Sequence, residues 1–228
     1  MQPRTLAILV IILPLLASNG AYLLSASEGS VPWCMPYIDG CTTISQAGRS
    51  GNTIFYYRAL VMTYSVLLMW FWLYSKSWLE LLHGHTTKIA LIIFWLGLAG
   101  SIALLIYIDF LGTTGEINRF MRRIGAMLYF ILTPLAQLLL LKQNYVIFRK
   151  KQGVSIKPKV LQYQFIILLL MLIIGAISIF LLVNNNNSYE SENIVEWNFS
   201  LLVNLYFVGM IFIWKDYRQV FKISAAKK

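Results

Sequence analysis

Six stretches of the sequence stay apolar over the length of a membrane-crossing helix: 5–25, 53–75, 88–110, 124–147, 161–183 and 195–214. An α-helix needs about 20 such residues to cross ~30 Å of hydrocarbon. Runs this long exceed what a buried strand or a core helix of a soluble domain uses. The bilayer core holds no water for backbone N–H and C=O groups, so these segments satisfy themselves as helices. Composition agrees, since 58% of the 228 residues are hydrophobic and only 12% charged, against roughly 25% charged in a soluble domain. The sequence therefore predicts an all-α polytopic membrane protein, a six-transmembrane-helix bundle. Every connection is short except 26–52, so one domain over 1–228 is expected.

The first run has a rival reading as a cleaved signal peptide, with Arg4, an apolar centre and small residues at Ala17, Ser18 and Ala26. Its weakly charged start and an apolar length of about 20 residues favour an uncleaved span. Charge then sets the orientation. With the N-terminus inside, the inner segments collect 14 of the 19 basic residues, Lys142, Arg149, Lys150 and Lys151 among them, against Glu80 and Asp216 alone. The outer segments hold five, Arg49, Arg58, Arg119, Arg122 and Arg123, with seven of the nine acids. Such asymmetry predicts cytoplasmic termini and an outer loop at 26–52. A net charge of +10 then reports topology and calls for no nucleic acid. The inner clusters can also attract anionic headgroups, at about 1 kcal/mol per charge.

On the outer side, oxidising conditions permit disulfides. Cys34 and Cys41 flank MPYIDG, where Pro36, Asp39 and Gly40 favour a turn, so a Cys34–Cys41 bridge is expected. Two cysteines without a nearby histidine make no metal site, and their spacing is not that of a redox motif. His83 and His85, on an inner loop, read as an interfacial turn rather than a metal site. Arg58 lies inside the second span, where charge is costly unless it snorkels or pairs; Asp109 and Glu196 are candidate partners.

The fourth span has a polar approach, TTGEINRFMRRIGAMLYF. Thr113 and Glu116 have capping-box spacing, which would start this helix well outside the membrane. Arg119, Arg122, Arg123 and Ala126 share one helical face, continued by Phe130 and Gln137. Arginines on one face can grip a phosphate bidentately, or make ordinary headgroup contacts. Gln137 and Asn204 are polar residues at mid-span and are expected to face the bundle interior. Interhelical hydrogen bonding is the simpler role for both, and substrate contact the sharper one. Asn186 and Asn198 begin glycosylation sequons, the second too close to the membrane to serve as an acceptor. No Gly-rich phosphate loop, HExxH motif, nucleophile elbow or intramembrane proton relay is present in the sequence, and no cofactor or metal is expected.

Two stretches carry a resemblance. PYIDGCTTISQAGRSGNTIF resembles the first-outer-loop signature of the family of FGF-receptor-activating proteins, damage-regulated autophagy modulators (DRAM) and GPI-lipid-remodelling proteins, with Ile44 to Gly48 in place of its I-S-D-T-G. FMRRIGAMLYF resembles that family's H-x-x-G-A segment, matching at Gly125 and Ala126 with Arg122 or Arg123 at the histidine position. Gln46 replaces the acid and arginine the imidazole, so neither position can act as a general acid or base near neutral pH. The resemblance implies six spans and a lipid-linked role: remodelling, organisation of membrane lipids, or autophagy regulation.

These readings converge on membrane lipids as the partner, bound at an outer-leaflet site made by Ser45, Gln46, Arg49, Arg58, Arg119, Arg122, Arg123 and Glu196. Ser45, Gln46 and Arg49 would orient a headgroup and the arginines hold its phosphate, with no catalytic residue assigned. A scaffold or regulator of another membrane protein is the alternative. A small-solute transporter ranks last, because no internal repeat is found and only Pro134 interrupts a span centrally. The expected location is a plasma or bacterial inner membrane, or an endomembrane in a eukaryote.

Overall fold

The structure is a computed structural model that describes residues 1–150, 156–183, 189–215 and 217, with backbone alone for 181–183. Lys151, Asp216, Arg218, Lys222, Lys227 and Lys228 of the charge count, and the Asn186 sequon, lie outside the described residues. Among the described residues all regular structure is helical: α1 (Pro3–Ser27), α2 (Pro36–Asp39), α3 (Ile44–Arg49), α4 (Thr53–His83), α5 (Lys88–Asp109), α6 (Glu116–Lys150), α7 (Pro158–Val183) and α8 (Tyr189–Ile213). Six of these, all but α2 and α3, are long and apolar enough to cross a membrane.

Two helices outrun their apolar cores. α4 has 31 residues and α6 has 35, or about 46 and 52 Å at 1.5 Å per residue. α6 gains its extra length before the span, as its polar approach predicts, but without the expected capping box. Thr113 Oγ1 donates to the Phe110 carbonyl at 2.8 Å and so closes the end of α5 instead. The Gly115 carbonyl accepts the first α6 turn bond, from the Arg119 N–H at 3.1 Å.

Small residues set the helix spacing along α5. A Cβ on Gly125 of α6 would lie 2.7 Å from the Ala103 carbonyl oxygen and 2.7 Å from the Tyr107 nitrogen, so only glycine lets these two backbones approach. Gly97 of α5 receives the Trp72 ring of α4 in the same manner. Close packing of this kind, rather than hydrophobic burial, holds helices together where the surroundings are themselves apolar. α7 is the least buried of the six long helices and packs chiefly on α8.

The bundle has two distinct ends. At one, the Tyr74 hydroxyl donates to the Met1 carbonyl at 3.0 Å and Tyr217 stacks edge-on against Trp78; this is the terminal end. At the other, the segment joining α1 to α4 folds over the helix tips; this is the loop end.

Candidate functional site

The loop end is built by fastening residues 28–52 onto α1 and α8. Cys34 and Cys41 stand at disulfide distance, Cα to Cα 6.5 Å, within the usual bridging range. The Tyr22 hydroxyl accepts from the Cys34 N–H and donates to its carbonyl, both at 2.7 Å. Asp39 accepts from the Met35 N–H at 2.7 Å, which closes α2 as one turn. Gly40 ends that turn at φ 61°, a left-handed conformation that glycine adopts without steric cost. α8 then grips three successive backbone carbonyls: Asn198 donates to Tyr37 at 2.8 Å, Asn193 to Gly40 at 2.6 Å, and Trp197 Nε1 to Thr42 at 2.8 Å. The Asn198 amide of the second sequon also donates to Ile194 at 2.9 Å, so it is fully engaged within the fold.

α3 follows as a short roof. Thr43 caps it by accepting from the Gln46 N–H at 2.8 Å. The Glu196 carboxylate reaches up from α8 and accepts from the backbone of Ser45 and Ile44. A carboxylate at helix N–H groups is favourable both as a hydrogen-bond acceptor and against the helix dipole.

Beneath this roof lies a cavity of 490 Å³ between α1, α4, α5, α6 and α8. Four buried tyrosines line it: Tyr57 and Tyr64 from α4, Tyr107 from α5 and Tyr129 from α6. The Tyr64 and Tyr129 hydroxyls lie 3.0 Å apart, and Tyr64 also donates to Asn204 Oδ1 at 3.4 Å. The Asn204 amide in turn donates to the Ser200 carbonyl at 2.8 Å. Higher up, the Tyr107 hydroxyl interacts with those of Tyr57 and Ser45 and feels the charges of Glu196 and Arg122. Arg122 and Arg123 enter from the α6 side, opposite Glu196 and Glu192 on α8. Arg123 and Glu192 are exposed and mark the mouth, whereas Glu196 is partly buried. Below the mouth, Phe130 and Phe199 face each other across α6 and α8, ring centroids 5.7 Å apart.

The residues expected to form one site divide into three groups. Ser45, Arg122, Arg123 and Glu196 meet in the cavity, where Asn204, expected only to face the bundle interior, joins them. Gln46, Arg49 and Arg119, with Arg122 again, line a separate hollow outside the roof. Arg58 belongs to neither. Its Nη2 donates to the Asp109 carbonyl at 3.2 Å and to the Leu111 carbonyl. Among the described residues it forms no ion pair with Asp109 or Glu196, because the unsatisfied carbonyls at the end of α5 take its Nη2 and α3 takes the Glu196 carboxylate. A cation at a helix C-terminus is stabilised by the dipole as well. Gln137 lies deeper than the cavity, buried, with Nε2 donating to the Val203 carbonyl at 2.9 Å and its backbone carbonyl accepting from the Tyr206 hydroxyl at 2.8 Å. At the terminal end, His83 Nδ1 contacts the Leu79 carbonyl at 2.8 Å and His85 Nδ1 the His83 carbonyl at 3.0 Å, both local turn contacts.

Sequence reasoning missed the tyrosines as a set. Tyr57 and Tyr64 are seven apart and share a face of α4, which is a usable signal. Tyr107 stands alone in α5 and Tyr129 shares α6 only with the distant Tyr145, so neither carries one. Fold and cavity together define a class: an all-helical bundle with six membrane-length helices and a roofed, charge-bearing, tyrosine-lined cavity at one end. No family model, no curated protein and no solved structure matches the chain.

Proposed function

We propose that the protein is an integral membrane protein that binds a lipid, or an amphiphile of similar form, by its polar head in the roofed cavity. The loop end then lies in the outer leaflet and both termini in the cytoplasm, as the distribution of basic residues favours. One observation carries this reading. The cavity sets Arg122 and Arg123 on one wall and Glu196 on the other, with phenol hydroxyls between them. Guanidiniums suit a phosphate, and a carboxylate among aromatic rings suits an ammonium, so the fitting head is zwitterionic. α7, which packs on α8 and α6, presents exposed Leu172, Ile173, Ile177 and Phe180, an apolar flank along which an acyl chain can lie. The two stretches that carry the family resemblance also meet here, Ile44 and Ser45 from one and Arg122, Arg123 and Ala126 from the other. The role is binding, with lipid organisation or remodelling as its use.

The test is mass spectrometry of lipid that copurifies with the protein. Arg123→Ala and Glu196→Gln should each lower bound lipid about tenfold, the scale of a lost hydrogen bond to a charged group, while Arg58→Ala leaves the lipid profile unchanged. Equal lipid in all four proteins would overturn the reading.

A second reading, a scaffold or regulator of another membrane protein, is favoured by one patch. Trp33, Met35 and Ile38 beside the Cys34–Cys41 loop are 67%, 56% and 70% exposed, and apolar groups in such a cluster mark interaction surfaces. It predicts a stoichiometric partner in mild detergent that is lost with Trp33→Ser plus Ile38→Ser.

A further inference from the structure

The hollow outside the roof lies between α3, the turn from α5 to α6, and the first turns of α6, with a volume of 490 Å³. Arg49 reaches it from the end of α3, and Arg119 and Arg122 from one face of α6. Arg122 lies within electrostatic range of Arg49, Arg119 and Arg123 alike. No acidic residue lines the hollow, and among the described residues none of its arginines forms an ion pair. Guanidiniums from separate elements, brought together without a counter-charge, repel one another in the folded protein. The neighbouring groups are neutral and polar. Ser50 Oγ already donates to the Gln46 carbonyl at 2.8 Å and Thr113 Oγ1 to the Phe110 carbonyl at 2.8 Å, so both hydroxyls keep lone pairs to accept from a ligand.

We infer that this hollow is a second, anion-binding site that takes a phosphate or phosphomonoester group. The donor set selects the chemistry. A dianionic group matches an arginine cluster better than a diester with a single charge, and planar guanidiniums hold two of its oxygens at once. The free hydroxyl lone pairs suit the P–OH proton of hydrogen phosphate or an alcohol on the group attached to a phosphomonoester. The site stands apart from the proposed cavity function and shares only Arg122 with it, so each can fail without the other. Its ligand is either free phosphate at the membrane surface or the phosphomonoester head of a lipid.

The full chain in nanodiscs of neutral phosphatidylcholine supplies the test. In one arm inorganic phosphate and glycerol 3-phosphate are titrated by calorimetry. In the other, nanodiscs containing phosphatidic acid are compared with neutral ones for retained lipid and for the shift in thermal unfolding. Arg49→Gln and Arg119→Gln should each weaken binding about tenfold or more, and Lys88→Gln, exposed at the opposite end of α5, should leave it unchanged. In the absence of anion the double variant Arg49→Gln/Arg119→Gln should unfold at an equal or higher temperature, because it removes repulsion. A structural role for the arginines predicts a lower one. Binding in the first arm assigns free phosphate and binding in the second alone assigns the lipid. No binding in either arm, equal binding by wild type and double variant, or a destabilised double variant in anion-free discs overturns the proposal.

Discussion

α4 and α8 run the length of the bundle side by side with α1, yet they are packed oppositely at their two ends. Toward the terminal end, Phe71, Trp72, Phe207 and Trp214 form a continuous ring stack with centroid distances from 4.7 to 6.2 Å. Toward the loop end the same two helices contribute Tyr57, Tyr64, Glu196 and Asn204 to the wall of the 490 Å³ cavity. One half is filled with rings, and the other is held open by groups that carry charge or hydroxyls. An empty apolar cavity costs contacts and collapses where it can. Here the walls cannot close without bringing Glu196 and the tyrosines against one another dry. The difference separates residues that hold the bundle together from residues that keep a space available.

The largest expected effect lies in the filled half. Phe71→Ala should destabilise the protein by about 3–5 kcal/mol, read as a fall in the thermal unfolding midpoint in detergent, with lipid retention normal below that midpoint. Loss of lipid retention by the still-folded variant would break the division, because it would couple the stack to the cavity.

Next comes the roof. Cys34→Ser with Cys41→Ser removes a short covalent loop, one with a sequence separation of 7, and this should cost about 2–3 kcal/mol in the chain-entropy account. The loss acts on the unfolded chain, so the roof should keep its hydrogen bonds to Asn193, Trp197 and Asn198. Trypsin cleavage after Arg49, measured against cleavage elsewhere, checks this. A roof-selective rise would show that the disulfide holds the roof itself.

How much of this was readable in advance follows the same division. Membrane-length apolar runs report their own helices, because only a helix satisfies the backbone without water. The helix ends were harder. α4 continues to His83 through the mixed stretch KSWLELLH, too short to read as a span of its own, and α8 begins at Tyr189, through polar residues whose hydropathy gives no reason to be helical. Arg122 and Arg123 were legible from a helical face with Ala126 and Phe130. Arg58 was not, since its partners are backbone carbonyls at the end of α5, and a sequence displays side chains rather than free carbonyls. Tyr107 and Tyr129 escaped for a related reason. An isolated tyrosine near the end of a span looks the same in an interfacial belt as in a cavity wall.

A smaller effect tests the cap of the roof. Thr43→Ala removes the acceptor of the Gln46 N–H and should cost about 1 kcal/mol. The cost should stay local, so hydrogen exchange at 44–49 should rise while the global unfolding midpoint moves little. Uniform acceleration across α4 and α8 would mean that α3 is part of the core rather than a cover.

The smallest effect sits at the boundary between the halves, and its size is informative. Gln137 donates to the Val203 carbonyl, but its own Oε1 is buried and has no partner. Gln137→Leu therefore removes one hydrogen bond and one orphaned acceptor together. Interhelical hydrogen bonds within membranes average about 0.6 kcal/mol, because the unfolded state in lipid also finds partners, and relief of the orphan offsets part of that. The variant should change stability by about 0.5 kcal/mol or less and retain lipid fully. Tyr129→Phe also loses a single hydrogen bond, to Tyr64, but it removes a hydroxyl from the cavity wall. It should match Gln137→Leu in stability and differ from it in bound lipid. If the two behave alike in both measurements, the hydroxyls of the cavity are only more of the packing seen below it.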